Sequence, residues 1–182
     1  MGMLVINVDS GELFDNVKQE FINTQPRVLQ LEHSLISISK WESKWHQVFL
    51  STTPKTNAQI IDYIKCMTIN NNVDPNVYSA LSKQNIADID RYINDPMSAT
   101  YFAKEKPRVG KDEPMTSELI YFWMDNFDIN WEAQKWHLNR LLNLIKISQI
   151  KNTPKGKRNP RDILSEQAAL NAERRARLGS KG

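Results

Sequence analysis

The sequence predicts an α+β fold that is predominantly α: a small antiparallel β-sheet at the N-terminus, a helical domain after it, and a basic helical tail at the C-terminus. Three observations lead there. The first is a change of period, from alternation over the first thirty residues to a repeat of three to four residues after Ser34. The second is a series of helix-start signatures at Thr56, Asp74, Ser82 and Thr116. The third is a division of charge. Residues 1–150 carry 15 Lys and Arg against 18 Asp and Glu, a net −3, whereas residues 151–182 carry 9 against 3, a net +6. The overall +3 is therefore the sum of a mildly acidic body and a strongly basic tail. At about 150 residues per domain, the 182 residues divide into one globular domain over 1–150 and an appendage over 151–182. Hydrophobic residues make up 40% of the chain and include five Trp and six Phe, a composition that excludes wholesale disorder and the fibrous classes.

Within the domain, residues 1–33 read as the sheet. Met3–Val8 is rich in β-branched residues and runs into Asp9-Ser10-Gly11, a turn signal. Glu20–Asn23 and Arg27–Glu32 flank Thr24-Gln25-Pro26, and Leu29 and Leu31 alternate with Gln30 and Glu32 as in a half-buried strand. These pieces predict one antiparallel sheet of three or four strands. Residues 34–150 read as helical. Leu35, Ile38, Trp41 and Trp45 share one stripe, leaving Lys40 and Lys44 outward. Thr56 and Gln59 have the spacing of a capping box ahead of Ile60, Ile61, Ile64 and Met67. Asp74 before Pro75 opens a short helix with Val77, Tyr78 and Leu81 inward. Ser82 caps the next, in which Ile86, Ile89, Tyr92 and Ile93 share a face, and Asp95-Pro96 stops it. The polar stretch 103–115 predicts an exposed loop. Thr116 then caps a helix with Leu119, Ile120, Trp123 and Met124 inward, and a longer helix is expected from about Trp131 to Ile150. Beyond it, Asp162–Leu178 has helix-forming residues and few large apolar ones, so a weak helix on a flexible extension is expected.

Few residues form a pattern that carries chemistry. The one cysteine, Cys66, excludes an internal disulfide and a thiolate cluster, and fits a reducing cytosol. Residues 1–9 lack the basic start and apolar run of a signal peptide, and no stretch approaches a membrane span. His33, His46 and His137 fall in three predicted elements, none spaced from another His or a Cys as a zinc site requires. Glu132 and His137, five apart, stand about 140° apart around a helix. Six glycines form no phosphate-cradling loop. The close carboxylate pairs Asp88/Asp90 and Asp125/Asp128 are accounted for by solvation or capping. The expectation is a non-enzyme with no catalytic, cofactor-binding or metal-binding residue. Among the aromatics, Trp41, Trp45 and Trp123 repeat with aliphatics and belong to the core. Trp136 lies off the Leu138/Leu142/Ile145 stripe and is the candidate partner-facing ring. The other candidate partner-binding residues are basic tail positions: Lys155, Lys157, Arg158 and Arg161, then Arg174, Arg175 and Arg177. No aromatics interleave with them, so docking on an acidic protein surface ranks above a merely solvated tail, and both rank above phosphate pairing with nucleic acid.

Several strings carry a resemblance when taken together: Leu31–Phe49, Asp62–Thr68, Ile120–Met124, Trp136–Ile147 and the ending Ala169–Gly182. In order and spacing these blocks, which span nearly the whole chain, resemble a family of tailed-bacteriophage proteins encoded just upstream of the tape-measure gene, the tail assembly chaperones. The segment Ile129–Gln134 departs from the family pattern, which has a Pro and a Cys there. The resemblance implies a non-enzymatic role in the host cytoplasm: coating the tape-measure protein and recruiting tail-tube subunits. A homo-oligomer is compatible with it, and a longer frameshifted form occurs in many phages. The rival readings are a structural tail or neck protein of the virion and a nucleic-acid-binding module using the basic tail.

Overall fold

Leu4–Val8 (β1) and Gly11–Asp15 (β2) run out, and Glu20–Thr24 (β3) and Arg27–Leu31 (β4) run back, in a computed structural model that describes residues 2–15, 20–100, 102 and 114–152. The pairing is antiparallel throughout, β1 with β4 and β2 with β3. Leu4 faces Leu31, Val8 faces Arg27, Gly11 faces Thr24 and Asp15 faces Glu20, and in every pair the two residue numbers add to 35. One register therefore runs through both ladders, which are the two legs of a single hairpin interrupted at Asp9–Ser10 and Gln25–Pro26. The sequence expects chain reversals at Asp9-Ser10-Gly11 and Thr24-Gln25-Pro26. The structure uses both signals differently: the two stretches lie opposite one another and make one interruption. Proline fixes φ away from the strand value and donates no ladder bond, so it is tolerated where a strand bends. The inward face changes there, from Ile6, Val8, Leu29 and Leu31 on one side to Thr24 on the other.

The sheet gains a partial third strand from residues 67–69. Glu32 N–H donates to the Met67 carbonyl at 2.8 Å and Ile69 N–H to the Gln30 carbonyl at 3.0 Å, about an isolated bridge between Leu31 and Thr68.

The helices begin where the side chains can cap them. Ser34 closes a capping box with Ser37 at the start of α1 (Leu35–Trp45), Thr56 with Gln59 at α2 (Asn57–Met67), and Ser82 with Asn85 at α3 (Lys83–Asn94). Asp74 caps a 3₁₀ segment, Pro75–Ala80, and Thr116 caps α4 (Ser117–Asn126). Their apolar stripes meet the inner sheet face in one core, where Leu29, Leu31, Leu35, Ile38, Trp41, Met67, Ile120, Met124, Leu138 and Leu141 are fully buried. The Trp41 indole N–H reaches the Gln59 carbonyl at 3.0 Å, so its large apolar area is buried at no cost in unmet polar groups. Glu42, buried on the same helix, accepts from Phe49 N–H at 2.8 Å and from Ser117 N–H at 2.7 Å. One carboxylate thus ties the loop after α1 to the first turn of α4, where the helix dipole favours a negative charge.

In α2, Ile60 is exposed and Gln59 takes the inward place, its amide closing the capping box and donating to Gln47 Oε1 at 2.9 Å. Two expectations are corrected. Ile86 is also exposed; the first turn of α3 is held instead by Asn85, which donates to the Asn7 carbonyl at 3.1 Å. The long helix expected from Trp131 is two pieces, a 3₁₀ segment Trp131–Lys135 and α5 (Leu138–Asn152). Between them His137 bridges to Ser34, and Leu138 N–H donates to the His33 carbonyl at 2.8 Å. A long-range backbone pairing breaks the helix where no proline or glycine announces it.

The protein is α+β and mainly helical, with its small antiparallel sheet at the N-terminus. The chain divides into two units, Met1–Ser148 and Gln149–Gly182. The basic extension expected over 151–182 lies outside the described residues except for Lys151 and Asn152, and so does the loop expected over 103–115 except for Pro114 and Met115. Among the described residues no helix is long and apolar enough to cross a membrane.

Candidate partner-binding surface

Trp136, the aromatic that the sequence singles out, stands beside a knot of polar groups joining the end of β4 to the start of α5. His33 and His137 meet edge to face with ring centroids 5.0 Å apart. His33 Nδ1 and the Tyr63 hydroxyl are 2.5 Å apart, and Tyr92 packs edge-on against His137 at 4.9 Å. His137 Nε2 lies 2.9 Å from the Tyr92 carbonyl, and its Nδ1 lies 3.3 Å from Asn139 N–H. A carbonyl only accepts and an amide only donates, so His137 is the neutral tautomer with its proton on Nε2. Burial, with help from the neighbouring His137, pushes the His33 imidazole down to about 3. His137 is lowered by burial as well, against the opposing pull of the Tyr92 carbonyl and Asp95. The phenols of Tyr63 and Tyr92 are raised, in both cases chiefly by burial.

Four ionisable side chains are therefore held in their uncharged forms. An imidazole with so low a pKa is a poor base at neutral pH, and the cavity beside it, about 50 Å³, is far smaller than the few hundred Å³ typical of ligand sites. The knot holds four parts of the chain together, the end of β4, α2, α3 and the start of α5, and positions the Trp136 segment. Sequence spacing could not place His33 with His137, because the contact is made through tertiary structure. His46 stands apart, at the C-terminal cap of α1 in a left-handed conformation with φ 50°. Among the described residues no three His, Cys, Asp or Glu side chains are grouped to hold a metal ion.

Trp136 is half-buried, packs against the core, and has the Arg140 guanidinium over its ring at 4.5 Å. One face of its ring thus lies against the side chain four residues on. Lys155, Lys157, Arg158, Arg161, Arg174, Arg175 and Arg177 lie outside the described residues.

Other rings are more open to a partner than Trp136. Phe122 is 62% exposed and Trp131 52%, and Trp131 stacks on Tyr121 with centroids 5.4 Å apart and planes 20° from parallel. A signal for Phe122 was present, since it falls off the Leu119/Ile120/Trp123/Met124 stripe of its own helix. A second apolar surface lies on the outer face of the sheet. Val5 faces Gln30 across the ladder, Gln30 neighbours Ile69, and Val28 follows two places from Gln30 on the same side. Val5, Val28 and Ile69 are 52%, 47% and 44% exposed. Single exposed apolar residues are ordinary, but a group sharing one rigid face is the pattern of an interaction surface. No family model, no curated protein and no solved structure matches the chain.

Proposed function

We propose that this protein is a non-enzymatic assembly chaperone of a bacteriophage tail, acting in the host cytoplasm and holding apolar segments of the tape-measure or tail-tube protein until they assemble. The sequence blocks that resemble the tail assembly chaperones supply the class. The observation that carries the reading is the outer sheet face, where Val5, Val28 and Ile69 are all exposed on one side of the antiparallel ladder. Such a face can cover apolar surface on a partner with little ordering cost of its own. Phe122 and Trp131 add exposed aromatic area, the residue type most often found at the centre of interfaces.

Co-expression with the tape-measure protein encoded beside it should raise that protein's soluble yield and lead to co-purification. The triple variant Val5→Thr, Val28→Thr, Ile69→Thr keeps β-branched side chains and should fold normally while losing the effect. No gain in yield from the native chain, or an undiminished gain from the triple variant, counts against the proposal. Mass spectrometry of purified particles separates it from the structural reading, since an assembly chaperone is absent from the virion or strongly sub-stoichiometric there.

A further inference from the structure

The free side of β1 carries backbone groups with nothing to bond. On β4, the Gln30 N–H donates to Asn70 Oδ1 at 2.6 Å and its carbonyl accepts from Ile69 N–H at 3.0 Å, so both point away from β1. Facing residues in an antiparallel ladder alternate between pairs that exchange both bonds and pairs that exchange none. Val5 faces Gln30 and so belongs to a non-bonded pair, with its own N–H and C=O directed out from the other side of β1. Asn7, two residues on, shares that direction, and its carbonyl indeed accepts from Asn85 of α3 at 3.1 Å. Among the described residues no backbone or side-chain partner takes the Val5 N–H, the Val5 carbonyl or the Asn7 N–H. Between this edge and α3 runs an open groove of about 240 Å³, bounded by Leu4, Val5 and Ile6 on the strand and by Asp88, Arg91 and Asp95 on the helix side.

We propose that this groove binds an extended peptide of alternating basic and apolar residues, which adds to β1 as a further strand of the sheet. The backbone requirement follows from the outward groups of Val5 and Asn7, which only another extended chain satisfies in series. The side-chain requirement follows from the two faces. Side chains of an added strand on the inner side turn toward α3, where Arg91 is paired with Asp88 at 2.9 Å and Asp95 supplies the remaining negative charge. Those on the outer side lie beside Val5 and continue its apolar face. A second copy of β1 does not fit this description, because its inner-facing residues, Leu4, Ile6 and Val8, carry no positive charge. It would also bring a second α3, with the same two aspartates, against the first. The site goes beyond the chaperone reading and does not depend on it, since it rests on strand polarity and groove charge alone.

The test uses the full chain and a capped peptide of alternating Lys and Val, about seven residues long to span the strand, with binding followed by amide NMR. The Val5 and Asn7 amides should shift, and both should exchange with solvent about tenfold more slowly at saturation. Methylating alternate peptide nitrogens should abolish binding, and replacing Lys by Glu should weaken it about tenfold. Val5→Pro removes an outward N–H and no bond of the ladder, a change that edge strands tolerate, and should weaken binding by a similar factor. If that variant does not fold, the methylated peptides make the same test on the native chain. Perturbation confined to other residues, equal binding of the Glu peptide, or binding that survives nitrogen methylation overturns the proposal. A dimer that buries β1 in the absence of peptide does so as well.

Discussion

The hydroxyl of Tyr92 occupies a rung of the β-ladder that ends at His33. Gly2 and His33 continue the register of the hairpin, since their numbers also add to 35. In place of a direct backbone bond between them, the Tyr92 hydroxyl accepts from His33 N–H at 3.3 Å and donates to the Gly2 carbonyl at 2.7 Å. A side chain of α3 is thereby spliced into the sheet. This is how the helix that walls the β1 groove is fixed to the strand beside it.

Replacing Tyr92 by Phe keeps the ring and its packing on His137 but leaves the His33 N–H without its acceptor and the Gly2 carbonyl without its donor. A buried backbone group left unmet costs about 1–3 kcal/mol. The variant should lose about that much stability in urea unfolding, and the His33 amide should exchange faster than in the native protein. Unchanged exchange at His33 would show that the splice contributes nothing.

Histidine protonation should make the protein acid-sensitive. Both His33 and His137 lie below the unfolded value of about 6.5, so between that pH and about 3 the unfolded chain binds protons that the folded one refuses. Stability is complete above about pH 6.5 and falls as the pH drops toward 3. His137 cannot charge without losing the bond from Asn139, whose N–H needs an unprotonated Nδ1. Urea midpoints measured from pH 7 down to pH 4 should decline steadily. Imidazole nitrogen shifts should show His33 still neutral at pH 5; a His33 that titrates near 6.5 would refute the account.

Glu42 gives a sharper test of local geometry. Its two oxygens each accept one backbone N–H, from Phe49 and from Ser117, and Glu42→Gln turns one of those acceptors into a donor facing a donor. The expected cost is about 1–3 kcal/mol, read as a lower thermal midpoint. Glu42→Ala should cost at least as much, because it removes both acceptors.

Gly11 offers a change in the opposite direction. A Cβ at this position meets Thr24 Oγ1 at 3.4 Å and the Ala80 Cβ at 3.5 Å, ordinary contact distances. The backbone bonds that Gly11 makes through its N–H and carbonyl to the Thr24 hydroxyl, at 2.9 and 3.0 Å, do not involve a side chain. Gly11→Ala should therefore raise stability by about 0.4–1 kcal/mol through loss of unfolded-state freedom. A destabilised variant would overturn this account of the site.

Much of the helical part was legible because its signals are local. Thr56, Asp74, Ser82 and Thr116 cap helices one to three residues downstream, and Leu35, Ile38 and Trp41 point inward as their spacing requires. What could not be read depends on distant partners. Asp9-Ser10-Gly11 and Thr24-Gln25-Pro26 have the composition of reversals, and only their placement opposite one another makes them a shared interruption. The break before α5 comes from a backbone pairing with residues 33 and 34, more than a hundred positions earlier in the chain. The same pairing brings His33 to His137 and sets the Arg140 guanidinium over one face of Trp136, contacts that periodicity does not foresee.

The interrupted hairpin also constrains how the sequence can change in length. Both interruptions contain two residues, and this equality lets a single register pass from one ladder to the other. Loss of one residue from Asp9–Ser10 alone would slide one ladder a place against the other and turn every side chain beyond it to the opposite face, exposing what Thr24 and Leu29 now bury. A matched loss opposite, at Gln25–Pro26, would leave both ladders intact. In related chains, insertions and deletions at these two points should therefore occur in pairs.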